Sequence, residues 1–176
     1  MAKRTNLSHV TPGGQARMVD VSGKAETSRH AQAEAWVDVG RAIAAKLRQS
    51  GGVTKGNVME TARLAGILAA KQTASLIPLC HPLPLECIEV EARLVGRQVR
   101  IVASARCQGK TGVEMEAMTA AAVAALTVYD MVKSAGKGVE IGPIRLLEKS
   151  GGKSGRWSRA KTKTFTTEDT ENSEQE

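Results

Sequence analysis

Aromatic side chains are almost absent from this chain of 176 residues, which contains two tryptophans, one tyrosine and one phenylalanine. Because so few rings are available, the core must be built from aliphatic side chains, which bury less area per residue. Hydrophobic residues still make up 41% of the chain, and its length is enough for one domain with a core of its own. Assembly into an oligomer would be a natural way to bury more apolar surface.

Long apolar runs and a leader-like segment are also missing. The first ten residues are polar, and no run reaches the roughly 18 apolar residues that a spanning helix needs. Only three cysteines are present, Cys80, Cys87 and Cys107, and an odd number does not suit a disulfide framework. We therefore expect a cytoplasmic protein with no membrane partner.

Negative charge is the scarcer sign, since 25 Lys and Arg exceed 18 Asp and Glu and give a formal net charge of +7. This excess favours an anionic partner such as a polyphosphate, a nucleic acid or a membrane surface, or it serves solubility alone. Composition does not choose between these. Single-stranded nucleic acid needs aromatic stacking platforms, and the body offers only Trp36, Tyr129 and Trp157, so we expect no nucleic-acid partner.

Three segments differ in composition. Residues 1–17 are polar and contain Pro12-Gly13-Gly14, which predicts a flexible arm. Residues 158–176 are rich in Ser and Thr, end in acidic residues and lack periodicity, as is typical of a disordered tail. Residues 18–157 are expected to form a single catalytic domain.

Hydrophobic periodicity predicts the order strand, helix, helix, strand, strand, helix, strand. Residues 29–39 alternate with a period of two, which outweighs the helix preference of their Ala and Glu. A short strand at 18–21 is a further possibility. The predicted helices cover 41–49, 57–74 and 113–135, and the other strands cover 88–94, 99–105 and 139–147.

This order of elements is that of the ferredoxin-like architecture, with one extra helix in the first crossover. We therefore predict an α+β, ferredoxin-like domain. Its antiparallel sheet has helices packed on one face, and the other face is free to pair with a second subunit.

Two short motifs admit a structural and a functional interpretation. Gly109-Lys110-Thr111 lacks the earlier glycine of a P-loop, because Ser104 stands there, so we interpret it as a strand-to-helix turn whose amides could hold an anion. Cys80, His81 and Cys87 are too few and unusually spaced for a zinc site, so no metal site is expected. His81 is either satisfied within its own loop or placed for proton transfer.

The longest predicted helix carries charges at both ends. Glu114 and Glu116 suit the dipole of its first turn and point roughly 200° apart, so we expect that both cannot face one small pocket. Asp130 and Lys133 form either an exposed ion pair or an acid–base pair. Because Glu116 and Asp130 lie about 21 Å apart along the axis, a site that used both would be assembled from two subunits.

Other lysines and an arginine are candidate anion ligands. The segment from Lys149 to Gly155 is basic and glycine-rich, which is typical of a linker or of a mobile phosphate-holding lid. Lys55 precedes a predicted helix start, and Lys71 and Arg29 are weaker candidates.

Six stretches, in order over about residues 6–157, together resemble the cyclic pyranopterin monophosphate synthase family, protein C of molybdenum cofactor biosynthesis. They are Met18-Val-Asp-Val-Ser22, Ile77-Pro-Leu-Cys-His-Pro82, Gly109-Lys-Thr-Gly-Val-Glu-Met-Glu-Ala117, Leu126-Thr-Val-Tyr-Asp-Met-Val-Lys133, Ile141-Gly-Pro143 and Leu146-Leu-Glu-Lys-Ser-Gly-Gly-Lys-Ser-Gly155.

The resemblance implies a lyase that converts 3′,8-cyclo-7,8-dihydro-GTP to cyclic pyranopterin monophosphate and releases diphosphate. It also implies a ferredoxin-like fold and a homohexamer built as a trimer of dimers. No redox cofactor is implied, and a Mg²⁺ ion would at most accompany the triphosphate.

The resemblance also implies roles by matching position. Asp130 would be the acid/base, Lys133 its partner, and Lys55 would assist the chemistry or hold substrate. The remaining matched residues would bind the substrate: Leu79, Cys80, His81, Glu114, Met115, Glu116, Arg29, Lys71 and Lys149.

Two other classes of function remain as alternatives. A basic nucleic-acid-binding module accounts for the charge but not for the lack of aromatics. A non-catalytic oligomeric subunit accounts for the Ala-rich helices but not for the charged residues at the ends of elements.

Overall fold

The computed structural model describes residues 10–11, 13–50 and 56–160, with Ser50 by its backbone only. Lys55 therefore lies outside the described residues. The elements in chain order are β1 (Thr27–Asp38), α1 (Gly40–Ser50), α2 (Val58–Lys71), α3 (Thr73–Leu76), β2 (Cys87–Val95), β3 (Gln98–Gly109), α4 (Glu114–Val132), β4 (Glu140–Ser150) and β5 (Trp157–Ser158).

The strands form one five-stranded sheet in the order β2-β3-β1-β4-β5, and every neighbouring pair is antiparallel. The first four strands have the ferredoxin-like order, so the predicted α+β fold is confirmed. Strand β1 lies in the middle because its alternating pattern lets it pair with β3 on one side and β4 on the other.

The core lies between one face of the sheet and the helices. Alternate residues of β1, such as Ala31 and Val37, are fully buried, as are Val99 and Ile101 on β3. Small side chains allow the layers to approach closely: a Cβ added to Gly66 of α2 would lie 2.9 Å from the backbone oxygen of Ala120 in α4. Close packing of short aliphatic side chains thus compensates for the lack of aromatics.

Helix α4 is long and apolar enough to cross a membrane if only length and hydropathy are considered. In this fold it is the central core helix, and 56% of its most apolar stretch is buried. Its alanines pack on the sheet and on α2.

The other face of the sheet carries polar side chains, including an almost fully buried carboxylate. Glu34 is 3% exposed and accepts hydrogen bonds from Arg100 at 2.9 and 3.0 Å and from Arg145 at 2.8 Å. Burial acts to raise the pKa of Glu34, but the bonds from Arg145 and Arg100 outweigh it and lower that pKa. A buried charge is tolerated here because it is paired on both oxygens.

Two local predictions were inaccurate, and one short strand was missed. The predicted strand at 18–21 does not form, because Val19 and Val21 line a cavity instead of pairing with a strand. The predicted helix at 57–74 is divided at Gln72 into α2 and α3. The short edge strand β5, which pairs with Lys149 and Glu148, was not predicted.

Candidate active site

A cavity of about 260 Å³ lies at the N-terminal end of α4. Three segments far apart in the sequence form it: the stretch 19–24, the loop 79–83 and the turn and first helical residues 111–116. It contains six of the predicted substrate-binding residues, namely Leu79, Cys80, His81, Glu114, Met115 and Glu116.

Glu116 is the most perturbed ionisable group of this cavity. It is 4% exposed, and its Oε2 atom is buried without a hydrogen-bond partner among the residues that the structure describes. Burial, together with the like charge of Glu114, raises the pKa of Glu116 to about 6. A carboxylate with such a pKa can give or take a proton near neutral pH, as a general acid or base must.

Glu114 lines the same cavity as Glu116, so the expectation that both cannot face one pocket is wrong. Glu114 is the first residue of α4, and Val113 before it has non-helical dihedrals (φ −105°, ψ 23°). The Glu114 side chain folds back over Gly112, where an added Cβ would overlap its carboxylate. The helical spacing rule therefore fails at this first turn because the side chain is directed by the turn before the helix.

A second cavity, of about 690 Å³, adjoins the first and is strongly cationic. The two share Lys24, Thr111, Gly112 and Glu114 as a common wall. Five cationic side chains and a single carboxylate, that of Glu114, line the larger cavity. The five are Lys24, Arg29, Lys110, Lys149 and Lys153.

Two of these cations, Lys149 and Arg29, are held in place by hydrogen bonds to other parts of the chain. Lys149, at the end of β4, donates to Glu114 Oε1 at 2.8 Å. Arg29 donates from Nε to the backbone oxygen of Gly109 at 3.1 Å, which ties β1 to the end of β3. Gly151 and Gly152 both have positive φ (103° and 68°), and a Cβ on Gly152 would overlap the Arg29 guanidinium. The glycine loop therefore packs closely over Arg29, as only glycines permit.

Lys24 was missed by the sequence analysis, and Lys110 and Lys153 were noted only as parts of motifs. Lys24 follows Ser22-Gly23, a turn that begins at the last residue of one of the matched stretches. A lysine after such a turn is the signal that could have identified it.

Asp130 and Lys133 are not brought to the cavities. Their side chains form an ion pair of 2.7 Å, and both are more than half exposed. They lie at the other end of α4, about 21 Å from Glu116 along the helix axis. A hydrogen bond from Lys133 to Asp130 raises the pKa of that lysine. Lys71 is exposed in the last turn of α2 and lines neither cavity.

Within residues 10–11, 13–50 and 56–160, no three His, Cys, Asp or Glu side chains are grouped as a metal site requires. Burial raises the pKa of the Cys80 thiol, and the charge of Glu116 raises it further. A neutral thiol is a poor metal ligand and a poor nucleophile.

Fold and site together define an α+β protein with a cationic cavity beside a smaller cavity that contains the buried carboxylate of Glu116. Comparison with known protein families gives a match to the MoaC family over residues 18–152. The chain therefore belongs to the MoaC family, that of the cyclic pyranopterin monophosphate synthases, and the resemblance seen in the sequence is confirmed. Membership indicates an enzyme of molybdenum cofactor biosynthesis with a nucleotide-derived substrate.

Proposed function

We propose that this protein is a lyase that converts 3′,8-cyclo-7,8-dihydro-GTP to cyclic pyranopterin monophosphate and diphosphate. The observation that supports this most directly is the wall shared by the two cavities. One cavity holds Cys80, His81 and Glu116, and the other is lined by five cations. A fused ring with an attached triphosphate has the same division between a part that exchanges protons and a part that carries negative charge.

The residue types suit the steps of this reaction. Opening the purine ring and closing it as a pterin requires repeated proton transfers, for which His81 and Glu116 are suitable groups. Forming the cyclic phosphate expels diphosphate, and fixed cations stabilise the charge that develops on it. The reaction exchanges no electrons overall and so requires no redox cofactor. A Mg²⁺ ion entering with the triphosphate is compatible with a phosphate-binding cavity.

We propose that a neighbouring subunit completes the site with Asp130 as acid/base and Lys133 as its partner. Within one chain this pair lies about 21 Å from Glu116 along α4, so two copies are needed to bring all three residues to one substrate. Leu126 and Tyr129, which precede the pair on α4, are 58% and 41% exposed. Exposed apolar residues beside a charged pair are typical of a subunit contact. A homohexamer built as a trimer of dimers would supply such contacts.

The remaining roles follow the family pattern. Lys55 assists the chemistry or holds substrate, although it lies outside the described residues. Arg29 and Lys149 bind phosphate or position the ring, and Leu79, Cys80, Met115 and Glu114 line the ring pocket. Lys71, which lines neither cavity of its own chain, would have such a role only at the site of a neighbouring subunit. The protein acts in the cytoplasm, where its three free thiols are stable. We propose no nucleic-acid or membrane partner, since five of the cations line one cavity and the chain offers few aromatic side chains on which bases could stack.

The proposal is tested by incubating the purified protein with the cyclised GTP intermediate and detecting the product by mass spectrometry. Asp130→Ala and Glu116→Gln should each reduce turnover at least 100-fold. Arg93→Ala, on the edge strand β2, is the control and should leave it unchanged.

Mixing the two inactive variants tests the shared site. If each site takes residues from two chains, random reassembly of Asp130→Ala with Glu116→Gln restores about a quarter of the sites. Absence of product from the wild type rejects the reaction, whereas an active wild type without complementation rejects only the shared site.

A further inference from the structure

Lys24 is the one lysine or arginine, among the described residues, that lines both cavities. The other four cations, Arg29, Lys110, Lys149 and Lys153, line only the larger one. Lys24 therefore lies at the boundary between the region with ionisable side chains and the cationic region.

Three of the other four cations differ from Lys24 in their contacts, whereas Lys153 is exposed and, like Lys24, has no partner among the described residues. Lys149 is paired with Glu114 at 2.8 Å, Arg29 donates to the backbone oxygen of Gly109, and Lys110 donates to that of Ser22. None of the described residues pairs with the Lys24 amine, which is exposed. Its charge is therefore available to a ligand without the loss of an existing bond.

Residues 19–24, here called the strap, hold Lys24 in this position. The Ser22 amide donates to Asp20 Oδ1 at 2.8 Å, and the Lys24 amide donates to the backbone oxygen of Val21 at 3.0 Å. Lys110, from the turn before α4, donates to the Ser22 carbonyl at 3.1 Å and joins the strap to the opposite wall. These bonds fix the backbone of the strap, and they therefore fix the position of Lys24 at its end.

We infer that Lys24 is a catalytic residue that binds the phosphate nearest the ring system, the α-phosphate, and the oxygen that links it to the leaving diphosphate. This inference rests on the proposed function. If the rings occupy the smaller cavity and the outer phosphates the larger one, the α-phosphate lies at the shared wall, where Lys24 is the described cation.

The step at this position is a displacement at phosphorus. A hydroxyl oxygen of the substrate forms a new bond to the α-phosphorus, and the bond from that phosphorus to the bridging oxygen breaks. The electron pair remains on the bridging oxygen, which leaves as part of diphosphate. The hydroxyl proton passes to a base of the smaller cavity, where Glu116 is the buried carboxylate. Lys24 stabilises the charge that develops on the bridging oxygen.

The first measurement is the binding of inorganic diphosphate to the full-length protein by calorimetry, which needs no turnover. Lys24→Met should weaken binding about 10- to 100-fold, because it removes one charge-assisted contact, and Lys24→Arg should recover most of it. Arg93→Met removes the same charge from the edge strand β2 and should leave affinity unchanged. Equal affinities for the wild type and Lys24→Met, with both proteins folded by circular dichroism, overturn the inference.

The second measurement distinguishes catalysis from simple attraction of anions. Lys153→Met, in the larger cavity only, should raise KM with little change in kcat, whereas Lys24→Met should also lower kcat about 100-fold. A purely KM effect of Lys24→Met overturns its catalytic role. If the wild type binds diphosphate through Lys24 but forms no product, both the proposed function and the catalytic role of Lys24 are wrong. Lys24 would then be an anion-binding residue and no more.

Discussion

Glu116 offers a quantitative test of the site that does not depend on turnover. Its pKa of about 6, against an ordinary value of 4.5, corresponds to a cost of ionisation in the folded state of about 2 kcal/mol. Because Glu116 is only 4% exposed, solvent screening reduces this figure little. Below pH 4.5 the carboxyl is protonated in both the folded and the unfolded chain, and the cost is absent. As the pH rises through about 6, the folded protein must ionise a buried group, and stability is lost.

Glu116→Gln removes this titration while keeping the shape of the side chain. The free energy of unfolding of the variant minus that of the wild type should rise by about 2 kcal/mol between pH 4.5 and pH 7.5. Urea unfolding followed by circular dichroism, at one protein concentration and at several pH values, measures this difference. Glu91→Gln, an exposed carboxylate on β2, is the matched control. A difference for Glu116→Gln that is flat or falls with pH would refute the reasoning.

Two further predictions concern the supports of the site and the fold. Gly152→Ala should weaken diphosphate binding, measured by calorimetry, about 3- to 30-fold, because the added Cβ displaces the Arg29 guanidinium. Gly155→Ala is the control: this glycine also has a positive φ, but the added Cβ lies in open space, so the affinity for diphosphate should change little. Glu34→Gln should lower the free energy of unfolding at pH 7 by about 2–3 kcal/mol, since it leaves two guanidiniums, each about a third exposed, without their carboxylate. Because the pKa of Glu34 is lowered in the folded protein, this loss of stability should become smaller as the pH falls. Urea unfolding at several pH values measures it, and a loss that becomes larger on acidification would contradict the pairing of Glu34 with the two arginines.

The fold was largely predictable because its strands obey a single strong rule. In β1 the alternation of Ala31, Ala33, Ala35 and Val37 with polar residues outweighed a composition that favours helix, since one face of the strand had to be buried. The same alternation in β2 and β3 predicted their hairpin, and the order of elements then left one compact arrangement of the sheet. Strand β5 escaped prediction because two residues contain no period.

The site was less predictable because its geometry depends on turns. The strap at 19–24 has two valines in alternation, which suggested a strand, yet both side chains line a cavity. The side chain of Glu114 folds over Gly112 against the helical spacing rule. Neither outcome follows from periodicity. The strap is held by Lys110, 88 residues further along the chain, and the Glu114 side chain is directed by the turn before α4. Motif resemblance identified eight of the lining residues but gave no reason to select Lys24.

Helix α4 explains why a shared site would arise in pairs. Glu116 and Asp130 are 14 residues apart, close to four helical turns, so they lie on similar stripes of one helix at a fixed separation of about 21 Å. Two such helices packed antiparallel about a two-fold axis would bring the Glu116 end of one copy to the Asp130 end of the other, and the same operation would create a second, identical site. The exposed Leu126 and Tyr129 near Asp130 supply apolar surface for such a contact. The length of α4 would then set the distance across each site, and an insertion of one turn between the two groups should disable both sites together.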